Sequence, residues 1–331
     1  MSDIARPRDV YRLQGAETQE RAFLEAMERG RLHHAWLLVG PEGVGKATFA
    51  YRAARRLLGA PPAPDYGLLG ADPDHPVSRQ VAGRAHPDLL VLELETEDGK
   101  PRKSIPVDEA RALPEFFSKS PGRADYRVAI IDTADDLNAN AANAVLKTLE
   151  EPPERGVLFL ISHQPGSLLP TIRSRCRRLA FTPPPEAEGA AWLMEHAGVA
   201  AETAHALLRL ARGAPGRALR LASVGALEVD ETARALIARL PRVDEAAAVG
   251  IADKFRGAEG QARFNLLMDR LAAALHERTA AAALEGRGAL DRWAEVWEML
   301  TALPGEAEAI NLDRADAFFT ALGRLKALGP L

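Results

Sequence analysis

A chain of 331 residues, 27% of them charged and with a net charge of −4, is long enough for two or three domains with apolar cores and offers nucleic acid no general attraction. Its single cysteine, Cys176, excludes an intramolecular disulfide and any cysteine-cluster metal site, so no zinc is expected. The opening Met1-Ser-Asp-Ile-Ala-Arg-Pro7 is too polar for a secretory signal, and no apolar run approaches the roughly 20 residues of a membrane span, which predicts a cytoplasmic protein with no membrane partner.

In chain order, Val10 and Tyr11 come first, either as packing residues or as the border of a base. From Glu17 to Gly30, Ala22, Phe23, Ala26 and Met27 recur at helical spacing. The apolar run Ala35-Trp-Leu-Leu-Val39 then leads into Gly40-Pro-Glu-Gly43-Val-Gly45-Lys46-Ala47-Thr48, which opens a helix reaching Leu58. Strand, glycine loop and helix in this order form a phosphate cradle: the glycines turn backbone N–H groups inward, the helix directs its positive end at the same point, and Lys46 reaches the terminal phosphates. The pattern predicts a pocket for ATP or ADP and leaves magnesium undecided. A hydroxyl is wanted directly after the lysine to ligate that metal, yet Ala47 stands there and the hydroxyl comes one place later, on Thr48. One step along a helix turns a side chain by about 100°. A glycine turn without ligand is the plainer alternative.

Residues 60–88 are rich in proline and glycine and read as an irregular excursion, with His75 and His86 as surface or capping histidines. Leu89 to Leu94 reads as a second strand, Glu97 to Lys100 as a turn, and Val107 to Leu113 as a helix interrupted or kinked by Pro114. Tyr126-Arg-Val-Ala-Ile-Ile-Asp132 is the pattern of a buried central strand in a parallel sheet, delivering Asp132 to the edge where such sheets bind ligands. A helix capped by Asn138 or Asn140 follows and ends at Glu150-Glu-Pro-Pro153; Val157 to Ile161 is the next strand, tipped by Ser162 and His163.

Arg173, Arg175, Arg177 and Arg178 then crowd ahead of a short strand at Leu179 to Phe181. They form either a solvated face paired with Glu150, Glu151 or Glu154, or a site where one guanidinium meets an anion, since its planar fork suits phosphate oxygens. Pro183-Pro-Pro185 marks a linker, beyond which the chain is alanine- and leucine-rich helix, with expected helices near 190–196, 201–212, 215–223, 230–240, 244–255, 259–277, 289–303 and 312–328.

Gly40 to Thr48, Ile131-Asp-Thr-Ala-Asp135, Ala141-Ala-Asn-Ala-Val-Leu-Lys-Thr-Leu-Glu-Glu-Pro-Pro153, Ser174-Arg-Cys176 and Gly216-Arg217-Ala together resemble a bacterial clamp-loader subunit of the AAA+ class. Gly83-Arg-Ala-His-Pro-Asp-Leu-Leu90 narrows the resemblance to one branch of that family. The resemblance covers about residues 5–225 by motif and the remainder by composition only. It implies an α/β P-loop (AAA+) domain with a parallel sheet over 1–182, an all-α lid over 183–225 and an all-α collar over 226–331. It also implies a place in a hetero-pentameric ring with a delta subunit and the ATPase subunits called gamma or tau, which opens a sliding clamp and sets it on primed DNA.

At two positions the chain departs from the active ATPases of that class. Thr133 stands where they carry glutamate, so the base that polarises water is missing, and Ala47 lacks the magnesium hydroxyl. Both departures argue against turnover. Arg175 matches the family's arginine finger, which acts on a neighbour's nucleotide, while Ser162 and Arg217 match its two sensor positions. The expected protein is therefore a stator that holds nucleotide passively, through Gly40, Gly43, Gly45, Lys46, Ala47, Thr48, Asp132, Ser162 and Arg217, and donates Arg175 in trans. Two other readings share these residues: an ATP-hydrolysing gamma/tau-like subunit using Lys46, Asp132 and a displaced Thr48, and a P-loop repair or regulatory protein whose arginines bind nucleic acid.

Overall fold

The computed structural model describes residues 6–94, 96–97, 100–102, 104–257, 259–284 and 291–328. Two compact units divide the chain, residues 1–219 and 220–331, with the boundary falling inside one helix.

The first unit is built on a five-stranded, wholly parallel sheet. In chain order its strands are β1 (Ala35–Val39), β2 (Leu89–Glu93), β5 (Arg127–Asp132), β6 (Gly156–Ser162) and β7 (Arg177–Ala180), arranged β2-β5-β6-β1-β7. Every residue of β1 and of β6 is buried, which is why these runs show no polar alternation: helices cover both faces of the sheet. One face packs through Phe23, Trp36, Phe49 and Phe159, the other through Leu37, Ile131, Val145 and Leu160. The short β3 (Thr96–Glu97) and β4 (Lys100–Pro101) pair antiparallel as a separate two-stranded sheet; residues 98–99 of the turn expected between them lie outside the described residues.

Helices α1 (Glu17–Glu28), α2 (Lys46–Leu57) and α5 (Ala139–Glu150) fall where the apolar spacing predicts, and Asn138 rather than Asn140 caps α5, accepting from the Ala141 N–H at 2.9 Å. The structure departs from expectation in three places. The excursion after Gly59 contains a helix, α3 (Pro76–Ala82), begun by Pro76 and capped by His75, whose Nδ1 accepts from the Val77 N–H at 3.3 Å. Of the two outcomes expected at Pro114, interruption is not the one found: helix α4 (Val107–Ser118) runs through it. Its Ala110 and Leu113 are fully buried, so the apolar face gains more from staying helical than the missing proline donor costs. His86 is buried rather than on the surface, with its Nδ1 accepting from the Asp88 N–H at 3.1 Å, and burial pushes its pKa down.

A short helix α6 (Pro170–Ser174) precedes β7, and α7 (Glu186–Ala197), α8 (Ala201–Leu210) and α9 (Pro215–Ser223) follow the proline linker. The second unit is helical throughout its described residues: α10 (Ala226–Ala238), α11 (Glu245–Asp253), α12 (Gly260–Leu284), α13 (Asp291–Ala309) and α14 (Arg314–Lys326). They close around Phe264, Leu271, Leu300 and Phe318. Asp313 caps α14 by accepting from the Ala315 and Asp316 N–H groups.

Candidate functional site

The carboxyl ends of the central strands gather the predicted nucleotide residues. Val39 pairs in register with Ser162, and Glu93 with Asp132, so the glycine loop, Ser162 and Asp132 emerge along one edge of the sheet. Among these groups Lys46 is the most constrained. It is buried, and its Nζ donates to the carbonyl oxygens of Gly40 and Pro41, each at 2.6 Å. Burial pushes its pKa down to about 8, against the opposing pull of Asp132, Asp135 and Glu42.

The loop's glycines are occupied from outside as well. Gly43 has a φ of +81°, and a Cβ there would stand 2.2 Å from the backbone nitrogen of Arg217; the Gly216 N–H donates to the Gly43 carbonyl at 2.9 Å. Helix α9 therefore rests its first turn directly on the loop. Gly45, φ +93°, meets Leu13, whose Cδ1 would lie 2.3 Å from an added Cβ. Ala47 packs against the apolar core, and Thr48 is buried. Tyr11 serves packing: its ring lies under the Arg55 guanidinium, 4.1 Å from the centroid, and edge-on to Tyr66.

Asp135 is a member of this site that sequence reasoning did not single out. It accepts from the Ser162 hydroxyl at 2.7 Å and from the His163 and Gln164 N–H groups at 2.5 and 3.3 Å, fixing the tip of β6. The signal available was its place in Ile131-Asp-Thr-Ala-Asp135, three residues past a strand that ends at Asp132. Thr133 donates its hydroxyl to Asp136 at 3.0 Å. In this arrangement the residues do not fit magnesium bound as the motif requires, since no hydroxyl comes directly after Lys46, and the lysine itself is turned onto the loop's own carbonyls. Among the described residues no cluster of histidine, cysteine or carboxylate groups could hold a metal ion, and no helix is long and apolar enough to cross a membrane.

Arg175 lies elsewhere. It caps the C-terminus of α6 just ahead of β7, and Arg177 pairs with Trp36 near the start of β1, whereas Gly40 follows the end of that strand. About 13 Å of strand separates the two levels at about 3.3 Å per residue, so this guanidinium belongs to the opposite end of the sheet from its own glycine loop. Its side chain is 38% exposed and sits 3.1 Å from the Glu150 carboxylate. Arg177 lies over Trp36, 4.8 Å from the ring centroid, and Arg173 and Arg178 are exposed without an acidic partner among the described residues.

The parallel sheet with a glycine loop and lysine opening α2 defines a P-loop α/β protein. The chain belongs to the family described as DNA polymerase III, delta subunit, which matches residues 15–185. It is 40% identical over 211 residues to the DNA polymerase III subunit delta' of Pseudomonas aeruginosa, covering 63% of this chain and 62% of that one. It is 34% identical over 199 residues to subunit delta' of Escherichia coli K12, covering 60% and 57%. Each match thus spans less than two thirds of the relative's length. A crystal structure of a DNA polymerase III gamma subunit-related protein from Thermotoga maritima superposes with a TM-score of 0.51 at 19% identity, covering 95% of this chain and 99% of that one, which shows the fold. The α/β P-loop domain on a parallel sheet, followed by all-α segments, that the motifs led us to expect is the architecture found.

Proposed function

We propose that this chain is the delta' stator of a bacterial clamp loader: a subunit without ATP turnover that supplies Arg175 to the nucleotide of an adjacent gamma or tau subunit. The observation that carries the reading is the position of Arg175, solvent-accessible and at the amino end of the sheet, out of reach of its own glycine loop. A finger placed there serves another protomer or none. The glycine loop supports the same conclusion from the other side, because its lysine, its glycines and Ser162 are engaged within the chain. Passive binding of ATP or ADP asks Lys46 to turn from its two carbonyls to the phosphates, and magnesium would find no hydroxyl from Ala47. The ring partners in this reading are delta and gamma/tau, with the sliding clamp and primed DNA reached through the assembly.

Single-turnover hydrolysis with the isolated chain tests the stator half: no ATP cleavage is expected above the level of a Lys46→Ala control. Cleavage that Lys46→Ala abolishes would replace this reading with that of a hydrolysing, gamma-like subunit. Arg175→Ala in the reconstituted complex tests the finger half, with loss of clamp- and DNA-stimulated hydrolysis at the neighbouring site as the expected result.

A further inference from the structure

Helix α5 ends on Glu150, with Glu151 next to it. Carboxylates at a helix C-terminus face the negative end of the macrodipole, so this placement is locally unfavourable and calls for a compensating partner. The partner is Arg175, whose Nη2 lies 3.1 Å from Glu150 Oε1, while Nη1 donates to the Thr171 carbonyl at 3.2 Å. A guanidinium carries five N–H donors. Two anchors, one to the last turn of α5 and one to α6, therefore fix its direction and leave the remaining donors outward. Both charged groups stay accessible, at 38% and 53% exposure, so the pair is too weak to lock the arginine away from a triphosphate, which offers several charged oxygens in place of one carboxylate.

We propose that Glu150 is a positioning residue for the arginine finger: it holds the Arg175 guanidinium in its outward rotamer before assembly, so that less side-chain freedom is lost when the neighbour's phosphate is met. This rests on the reading of Arg175 as a group acting in trans. Glu150 itself touches no nucleotide and acts only through Arg175.

The test is a double-variant cycle in the complex reconstituted from the full chain with its own delta and gamma/tau subunits, clamp and primed DNA, reading the steady-state ATPase. Glu150→Gln, which keeps size and removes charge, is expected to lower kcat about two- to fivefold, the range open to an exposed ion pair, with KM for ATP little changed. Glu150→Asp should recover part of the loss. In an Arg175→Ala background the glutamine change should have no further effect. The proposal is overturned if Glu150→Gln leaves the rate unchanged, raises it, or lowers it by the same factor with and without Arg175. If Arg175→Ala itself leaves the rate intact, the finger reading fails and Glu150 positions nothing of catalytic use, a result distinct from a failure at Glu150 alone. Matching thermal unfolding curves for the variants show that each has folded.

Discussion

The glycine loop and the Arg173–Arg178 segment sit at opposite ends of the same sheet and treat their charged groups in opposite ways. At the loop, Lys46 is buried and donates to its own backbone, Ser162 is bound by Asp135, and α9 closes on Gly43. Along α6 and β7, Arg173, Arg177 and Arg178 are exposed, and Arg175 is held by one solvent-accessible carboxylate. The difference teaches where charge stays available to an incoming group. The lysine and the Ser162 hydroxyl at the loop already have partners within the chain, whereas an unburied guanidinium keeps its charge for whatever approaches.

The sharpest way to break this contrast is Arg175→Ala in the assembled complex, expected to slow hydrolysis at the adjacent site by about 10³, the scale of an arginine finger. Arg178→Ala, in the same segment but without a partner, should change the rate less than twofold. Equal effects would mean that the segment acts as a diffuse positive patch.

At the other end, Gly43→Ala forces a Cβ into the backbone of Arg217 at a positive φ and should cost about 2–4 kcal/mol, read from urea unfolding. An unchanged midpoint would show that α9 does not press on the loop. The smallest effect is a pH dependence. Lys46 has a folded pKa of about 8, below its unfolded value, so the unfolded chain holds the extra proton as pH rises beyond 8. Stability relative to a Lys46→Met variant should therefore climb by about 1–3 kcal/mol between pH 8 and 10, and stay flat below. A flat difference across that window would mean that the lysine is solvated and the cradle open.

Away from the site, Asp88 shows how much of the framework is long-range. It is buried and accepts from the N–H groups of Gly122, Arg123 and Ala124 at 2.8, 2.9 and 3.2 Å. Burial works to raise its pKa, but these bonds and Arg127 hold the carboxyl below the ordinary range, so its contribution to stability is present near neutrality and is lost as pH falls through the acid range.

What the sequence determined by itself was whatever depends on neighbours along the chain. The continuous apolar runs of β1, β5 and β6 declared strands, that of β5 a buried parallel one, Gly40 to Thr48 declared a strand-loop-helix, and Ala47 and Thr133 declared departures from the motif, because each signal is carried within a few residues. Helix α3 escaped because its start signals, Pro76 and the His75 cap, lie in a stretch whose proline and glycine read as loop, and the passage of α4 through Pro114 escaped because burial of Ala110 and Leu113 outweighed local preference. Only the tertiary structure decided that α9 stands on Gly43, that Leu13 fills the space at Gly45, that Asp135 takes the Ser162 hydroxyl, and that Glu150, of three candidate glutamates, faces Arg175. Those choices depend on where distant segments come to rest on the sheet, and composition and spacing leave such pairings open until the chain has closed on itself.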